Sequence, residues 1–326
     1  MDYDPQHSTT GCGSRHSPLL NTTHAEDEFN KYVRLASSSL PIEYANSGHF
    51  DIGLLVALPV EYQAIATEIT NLAPIRDHHG VAMFYRGTFT TDSGRKLQVL
   101  VAHLHATGNI SSAIAATLMV EYYKAALVVN VGIAGGIRGE VVLGDVVVGQ
   151  YVLYYESKKV TKDGESPEFK TLPYRPSTAR NIHDARRYLQ RVKCPRPCEA
   201  DVKRSPCATF DSTIASGEKV IGDPSLLATL KNTVSRKMAA VDNESAGVYM
   251  AVLSMPGDTA VLAVRGISDY ADEKKDDNWH SYAAGAAAAY VFDLMASDKL
   301  CVPDECGWQL HNANDAQPCG QPGSCA

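Results

Sequence analysis

The sequence predicts an α/β fold, a three-layer α/β/α single domain around a central mixed sheet, and three observations predict it. Short apolar runs of strand length alternate with longer stretches of helical periodicity, the pattern of a sheet covered by helices. Some runs, such as Leu127 to Ile133, are apolar throughout, as strands buried on both faces are. Three others, Phe50 to Leu58, Met238 to Val241 and Thr259 to Ile267, lead straight into carboxylates. In open α/β sheets, ligands sit in the crevice outside the carboxyl ends of the strands.

Taken in order, residues 1–45 lack hydrophobic periodicity and read as a disordered segment or linker, and the folded domain spans 46–297. Phe50 to Leu58 is a strand and Val60 to Leu72 an amphipathic helix. Met83 to Thr90 and Leu97 to His105 are strands about a turn at Asp92-Ser93-Gly94. Asn109 to Ala126, rich in Ala and Leu, is a helix, and the Leu127 to Ile133 strand runs into Ala134-Gly135-Gly136. Val141 to Tyr155 reads as a β-branched strand pair. Residues 158–204 then break the pattern, holding thirteen of the chain's 30 Lys and Arg against six acids, with one helix at Ala179 to Val192. Regular elements resume at Thr213 to Gly217, followed by a helix from Asp223 to Arg236, the Val241 and Val264 strands, and a helix from Trp279 to Met295. Residues 298–326 form a Cys-, Pro- and Gly-rich tail.

Composition narrows the function classes. A net charge of -7 and a pI near 5.9 argue against a general nucleic-acid binder. No run approaches the ~18 apolar residues of a membrane helix, and the polar first 30 residues lack the apolar core of a secretory signal. The expectation is a soluble cytoplasmic protein. Among the eight cysteines, Cys194-x3-Cys198 and Cys301-x4-Cys306 could be zinc half-sites. Their loose spacing in peripheral segments fits reduced cytosolic thiols better than a metal site or disulfides.

The charged residues at the strand exits carry the chemistry. Glu61 lies in the first turn of a helix opened by Pro59, where the helix dipole alone favours a glutamate. Asp242 and Glu244 flank a strand-to-helix turn, where capping is the simpler account, and Asp269 could cap or turn. Arg265 is different, because a charge inside an apolar strand needs a partner. The Gly132 to Gly136 loop has neither the dinucleotide G-x-G-x-x-G spacing nor a Gly-Lys-Ser/Thr, yet it lets a backbone approach a ligand closely.

The segments Ile52 to Leu58 with Glu61, Thr107-Gly108, Asn130 to Gly136, Gly144 to Val148, Ile214 to Gly217, Val241 to Ala246 and Arg265 to Asp269 resemble the nucleoside phosphorylase/nucleosidase superfamily. The resemblance is closest to the methylthioadenosine/S-adenosylhomocysteine nucleosidases and holds in order from about residue 50 to 297. It implies hydrolysis of a purine, in particular adenine, N-glycosidic bond through an oxocarbenium-like transition state. Glu61 would be the general base on water, Arg265 would hold that water, and Glu244 would bond the ribose hydroxyls. Asp269, helped by Ser268, would protonate or hydrogen-bond N7 of the base, a role for which a raised pKa in an apolar pocket would suit it. Substrate contacts are implied for Gly135, Gly136, Ser216, Gly217, Ile221, Asn243, Ser268 and His105, with no cofactor, no metal and a homodimeric state.

Several positions depart from the family pattern. Asn243 replaces the usual methionine, and Val220 takes the place of a base-stacking aromatic, a role that Tyr154 or Tyr155 could assume. His105 takes the place of a serine near the water, and the basic excursion has no counterpart. Phosphorylases of the superfamily bind phosphate with arginines, but Ala57 to Ala66 and Val101 to Ser112 contain no Lys or Arg. Water is therefore favoured over phosphate as the nucleophile, a purine or uridine phosphorylase being the alternative. Related domains in immune proteins act on adenine nucleotides such as ATP, and the basic excursion offers Lys158, Lys159, Arg175, Arg180, Arg186 and Arg187 for a phosphate chain. The competing class is a non-catalytic nucleoside-binding module, with no nucleic-acid or membrane partner.

Overall fold

Strand β1 (Phe50–Val56) opens the core of the computed structural model, which describes residues 49–75, 80–161, 164–167, 170–173, 208–219, 221, 224–233, 235–271 and 279–297. It pairs in parallel with β4 (Lys96–Leu104) and β5 (Ala125–Gly136). β3 (Ala82–Thr90) and the edge strand β2 (Thr70–Pro74) extend the sheet beyond β4 as antiparallel neighbours. On the other side β5 pairs in parallel with β12 (Ala260–Asp269). β12 runs antiparallel to β6 (Val146–Tyr154), and β6 pairs in parallel with β10 (Ala208–Ser216), which pairs in parallel with β11 (Met238–Asp242). The far end of β5 then turns onto β11, with Gly135 opposite Val241 and Gly136 opposite Ala240. The path β5–β12–β6–β10–β11 therefore closes on itself, while β1, β4, β3 and β2 form an open wing. The sheet is mixed, as the sequence predicts.

Helices cover both faces. Alternate residues of the central strands divide between two apolar cores. Ile52, Leu54, Val99, Val101, Val129, Leu262 and Val264 pack with helices α1 (Pro59–Ala66) and α5 (His280–Ala296). Leu55, Leu100, Ala102, Val128, Val261 and Ala263 pack on the opposite side with α2 (Asn109–Thr117) and α4 (Ser245–Ser254). The short α3 (Pro224–Thr233) follows β10. Five alanines of α5, Ala283, Ala284, Ala286, Ala287 and Ala288, are buried. Contact there is so close that a Cβ on Gly266 of β12 would overlap the Ala283 backbone. The small-residue helix is what lets the sheet and helix approach this far.

Several boundaries differ from the sequence reading. The helix expected to reach Leu72 ends at Ala66. Ile69 and Leu72 are spaced like a helical stripe, but they pack against Gly87 of β3 from the strand β2 and the link before it. The helix expected to reach Ala126 ends in one π-helical turn, Leu118–Tyr122, after which Lys124 adopts a φ of 54° and Ala125 enters β5. Val141 to Tyr155 is one strand, not two, because Val142 donates to Asp145 Oδ2 at 2.9 Å in a turn before it and Gly144 takes a φ of 85°. The last core strand runs two residues further than expected, to Asp269, which lies opposite Gly135.

The start of the basic excursion is not irregular. Strands β7 (Lys158–Thr161) and β8 (Gly164–Pro167) form a hairpin, and β9 (Lys170–Pro173) adds antiparallel to β6. Backbone pairing there is carried by a polar sequence that shows no apolar alternation. The expected helix at 179–192, the segments 1–45 and 298–326, Val220 and all eight cysteines lie outside the described residues. No helix among the described residues is long and apolar enough to cross a membrane.

Candidate active site

Glu61 occupies the third position of α1 and is 3% exposed. Its Oε2 accepts hydrogen bonds from the backbone amides of Ala57 (2.8 Å) and Leu58 (2.9 Å), the free donors at the start of its own helix. Its Oε1 accepts from the amide of Ile133 at 2.8 Å, in the loop end of β5. The first-turn glutamate is thus a cap and a pinned carboxylate at once.

Arg265 is fully buried in β12. Its Nε donates to Asp242 Oδ2 at 2.7 Å and its Nη2 to Glu244 Oε2 at 3.3 Å. The remaining nitrogen, Nη1, has no hydrogen-bond partner. It closes over Gly132 on the same side as Glu61: a Cβ at that position would overlap both Arg265 Nη1 and Glu61 Oε1. Only glycine lets the two groups come this close. Burial alone would lower the arginine pKa, but Asp242, Glu244 and Glu61 outweigh it and raise it.

Glu244 sits immediately before α4, and its Oε1 also accepts from the Gly108 amide at 3.2 Å. Burial, with the negative charges of Asp242 and Glu61, pushes its pKa up to about 7 against the opposing pull of Arg265 and the Gly108 N–H. Asp242 accepts from the Ser245 amide at 3.2 Å and from the Ser245 hydroxyl as well as from Arg265. At the end of β12, Asp269 Oδ1 accepts from the Ala271 amide at 2.6 Å, and the Ser268 hydroxyl lies 3.1 Å from Asp269 Oδ2.

These groups converge on a cavity of about 280 Å³. Glu61, Gly135, Ile221, Asn243, Glu244, Ser268 and Asp269, all singled out in the sequence, line it. Arg265 stands behind this wall. Ser216, Gly217 and Gly136 are not part of the lining but hold it. The Ser216 hydroxyl donates to Asn109 Oδ1 at 3.1 Å and accepts from the Ala246 amide at 3.0 Å, while the Gly217 amide donates to the Asp242 carbonyl at 3.2 Å. His105 is elsewhere. Its ring Nδ1 lies 3.0 Å from the Gly80 carbonyl, it is exposed, and Thr107 takes its place in the lining. The reason is local: β4 ends at Leu104, and beyond it the His105 backbone amide donates to the Val81 carbonyl at 3.0 Å while its ring meets Gly80, so the residue is held beside the start of β3.

Neither Tyr154 nor Tyr155 lines the cavity. Tyr155 is buried against Gly217, its hydroxyl donates to the Lys219 carbonyl at 3.2 Å, and burial raises its pKa. Ile133, Ile221 and Val241 supply the apolar wall instead. Sequence reasoning missed Thr107 and His280 as lining residues and read Asp242 only as a cap. A larger groove of about 560 Å³ between α1 and α5 has no comparable convergence of charge; Glu68 and Asp293 are its only acids.

A mixed sheet closed on one side, with paired carboxylates around a buried arginine at its strand ends, defines a class, and comparison with known proteins agrees. Residues 51–295 match the family described as the phosphorylase superfamily, and the chain belongs to it. The ATP nucleosidase Cap17 of Escherichia coli is 30% identical over 259 residues, covering 74% of this chain and 50% of that protein. This chain therefore spans about half the length of that relative. A 5'-methylthioadenosine/S-adenosylhomocysteine nucleosidase of Maridesulfovibrio salexigens is 24% identical over 212 residues, 65% of this chain and 86% of its own. The crystal structure of the Neisseria meningitidis enzyme of that name, in complex with methylthio-immucillin-A, superposes with a TM-score of 0.60 at 21% identity, covering 76% of this chain and 98% of that one.

Proposed function

We propose that the protein is a purine N-glycosidase that hydrolyses the bond between adenine and ribose, with adenine nucleotides such as ATP among its substrates. The observation that carries the reading is the meeting over Gly132 of the unpartnered Nη1 of Arg265 and the Glu61 carboxylate, beside the cavity that Glu61 lines. A water shared by these two groups meets a base and a hydrogen-bond donor together. In this reading Glu61 takes a proton from the water as its oxygen bonds to the anomeric carbon. Glu244, ionised and held by Arg265, bonds the ribose hydroxyls and stabilises the positive charge that develops on the sugar. The N-glycosidic bond breaks as Asp269, positioned by Ser268 and the Ala271 amide, donates a proton or hydrogen bond to the purine. Asn243 and Thr107 offer polar contacts on the sugar side, and Ile133, Ile221 and Val241 an apolar surface for the base.

Water rather than phosphate as nucleophile is supported by the lining, which contains four carboxylates (Glu61, Asp242, Glu244 and Asp269) and no Lys or Arg. A phosphate anion entering such a field is repelled. The same field argues that a nucleotide inserts its nucleoside end and leaves its phosphates toward the mouth, since about 280 Å³ is nucleoside-sized. The relative that acts on ATP supports nucleotides as substrates, in keeping with an effector role. The reading further takes the protein to be a cytoplasmic homodimer, for which Ile110, 72% exposed, and Ile114, 49% exposed, offer an apolar face on α2.

The test is base release followed by liquid chromatography, without phosphate, from methylthioadenosine, S-adenosylhomocysteine, adenosine, AMP and ATP. Free adenine from any of them supports the glycosidase, and adenine from ATP alone makes it a nucleotide effector. Release only after phosphate is added would make it a phosphorylase. No base under either condition would make it a binding module.

A further inference from the structure

We infer that Asp242 is a positioning residue of this site, the group that sets the direction of the Arg265 guanidinium and so the place where the nucleophilic water is held. The inference rests on the glycosidase reading. Of the three faces of a guanidinium, the Nε face here is fixed by Asp242 at 2.7 Å, one Nη by Glu244 at 3.3 Å, and the other is left for the water. Asp242 makes the shorter of the two contacts, and its side chain is 1% exposed.

Capping does not account for this carboxylate. A cap needs one oxygen, and Oδ1 supplies it by accepting from the Ser245 amide at 3.2 Å. Oδ2 is committed separately, to Arg265 Nε and to the Ser245 hydroxyl. That hydroxyl accepts in turn from Asn130 Nδ2 at 3.2 Å. Asp242 is thus braced from β5 and from the first residue of α4, and it passes that rigidity to β12.

Charge makes the same point. Arg265 is surrounded by Asp242, Glu244 and Glu61. With the Asp242 charge removed, Glu244 and Glu61 are left to compete for the cation, and the guanidinium turns toward them. Nη1 then leaves the position from which it holds the water. Substrate contacts at Asn243, Ser268 and Asp269 are untouched. Loss of kcat with little change in KM is the expected signature, and misplacement of this kind costs on the order of 10²-fold.

The groups facing Glu244 are Asp242 from β11, Arg265 from β12, Glu61 from α1 and the Gly108 N–H from the start of α2. Deleting the Asp242 charge therefore eases ionisation of Glu244, and the acid limb of the pH–rate profile moves to lower pH. A merely structural role would lower activity without moving that limb.

The experiment compares kcat, KM and pH profile for the wild-type chain, Asp242→Asn, Asp242→Glu and Ser245→Ala, with thermal unfolding followed from pH 4 to 8 on the same samples. Asp242→Asn is expected to lose roughly 10²-fold in kcat, keep KM within a few-fold, and shift the acid limb downward, while Asp242→Glu keeps the limb in place. Unchanged kcat, or lost kcat with an unmoved limb, overturns the inference. If Asp242→Asn does not fold, Ser245→Ala decides, because it loosens Oδ2 while keeping the charge. It must lower kcat and leave the limb alone, and wild-type kcat in that variant overturns the inference. If the wild-type chain releases no base at all, the glycosidase reading fails. The unfolding profiles still decide the coupling, since a pH dependence identical in wild type and Asp242→Asn overturns it.

Discussion

Glu61 and Glu244 are both carboxylates buried at the same cavity, yet their surroundings suit them to different work. Glu61 accepts three backbone N–H groups, from Ala57, Leu58 and Ile133, so it cannot turn away from Arg265 Nη1. Glu61→Gln keeps the shape and the Ile133 contact but cannot take a proton. It should lower turnover by about 10²–10⁴-fold while equilibrium binding of a non-hydrolysable nucleoside analogue persists; undiminished turnover would remove Glu61 from the mechanism. Glu244, with its pKa pushed up to about 7, gives a pH prediction. Its carboxylate form serves the developing cation, so kcat/KM should fall as pH drops through about 7, and Glu244→Gln should abolish that dependence along with most activity. Stability runs the other way. The folded pKa lies above the ordinary glutamate value of 4.5, so this group's contribution is fully present below about pH 4.5 and lost as pH rises to about 7. Thermal unfolding across that window should show the decline in wild type and a flatter curve in Glu244→Gln. Glu61, Glu244 and Asp269 were legible in the sequence because each stands at an apolar strand exit, and Arg265 because a charge inside an apolar strand needs a partner. Thr107 and His280 were not, since neither interrupts a pattern, and ten residues separate His280 from the Asp269 strand end with no signal of its return to the cavity.

At the scale of elements, two glycines mark where helices, strands and charges are forced together. Gly132→Ala places a methyl group against Arg265 Nη1 and Glu61 Oε1. Activity should fall by at least about 10²-fold with secondary structure intact by circular dichroism; an active variant would show that the close approach of Arg265 and Glu61 over Gly132 does not place the water. Gly266→Ala instead meets the backbone of Ala283, on the α5 side of the sheet. It should lower unfolding free energy by about 1–3 kcal/mol, as overpacked cores do, measured by denaturant titration. The central strands were legible because residues buried on both faces leave uninterrupted apolar runs. Where helices ended was harder to see. Ile69 and Leu72 keep helical spacing while serving a strand, and Ala125 and Ala126 continue an alanine-rich run across the boundary into β5. The hairpin β7–β8 and β9 had no apolar signal at all, because main-chain pairing rather than side-chain burial defines them.

For the molecule as a whole, the closure of β5 onto β11 brings the end of β5, the start of α4 and the end of β12 to one cavity, although about 100 residues of chain separate the first from the others. That closure could not be read from the sequence: no local pattern shows that the Gly135-Gly136 end of a parallel strand turns to pair antiparallel with another. It explains why carboxylates distant in the chain share a single arginine. The exposed Ile110 and Ile114 face predicts a dimer, which light scattering on the purified chain and on an Ile110→Asp variant would test, the variant running as a monomer. The central claim, that this cavity cleaves adenine from ribose with water, is tested most directly by incubating the protein with ATP in ¹⁸O-labelled water and no phosphate. The account predicts free adenine together with one labelled oxygen at the anomeric carbon of the released ribose product. Intact ATP, with methylthioadenosine and adenosine equally untouched, would contradict it.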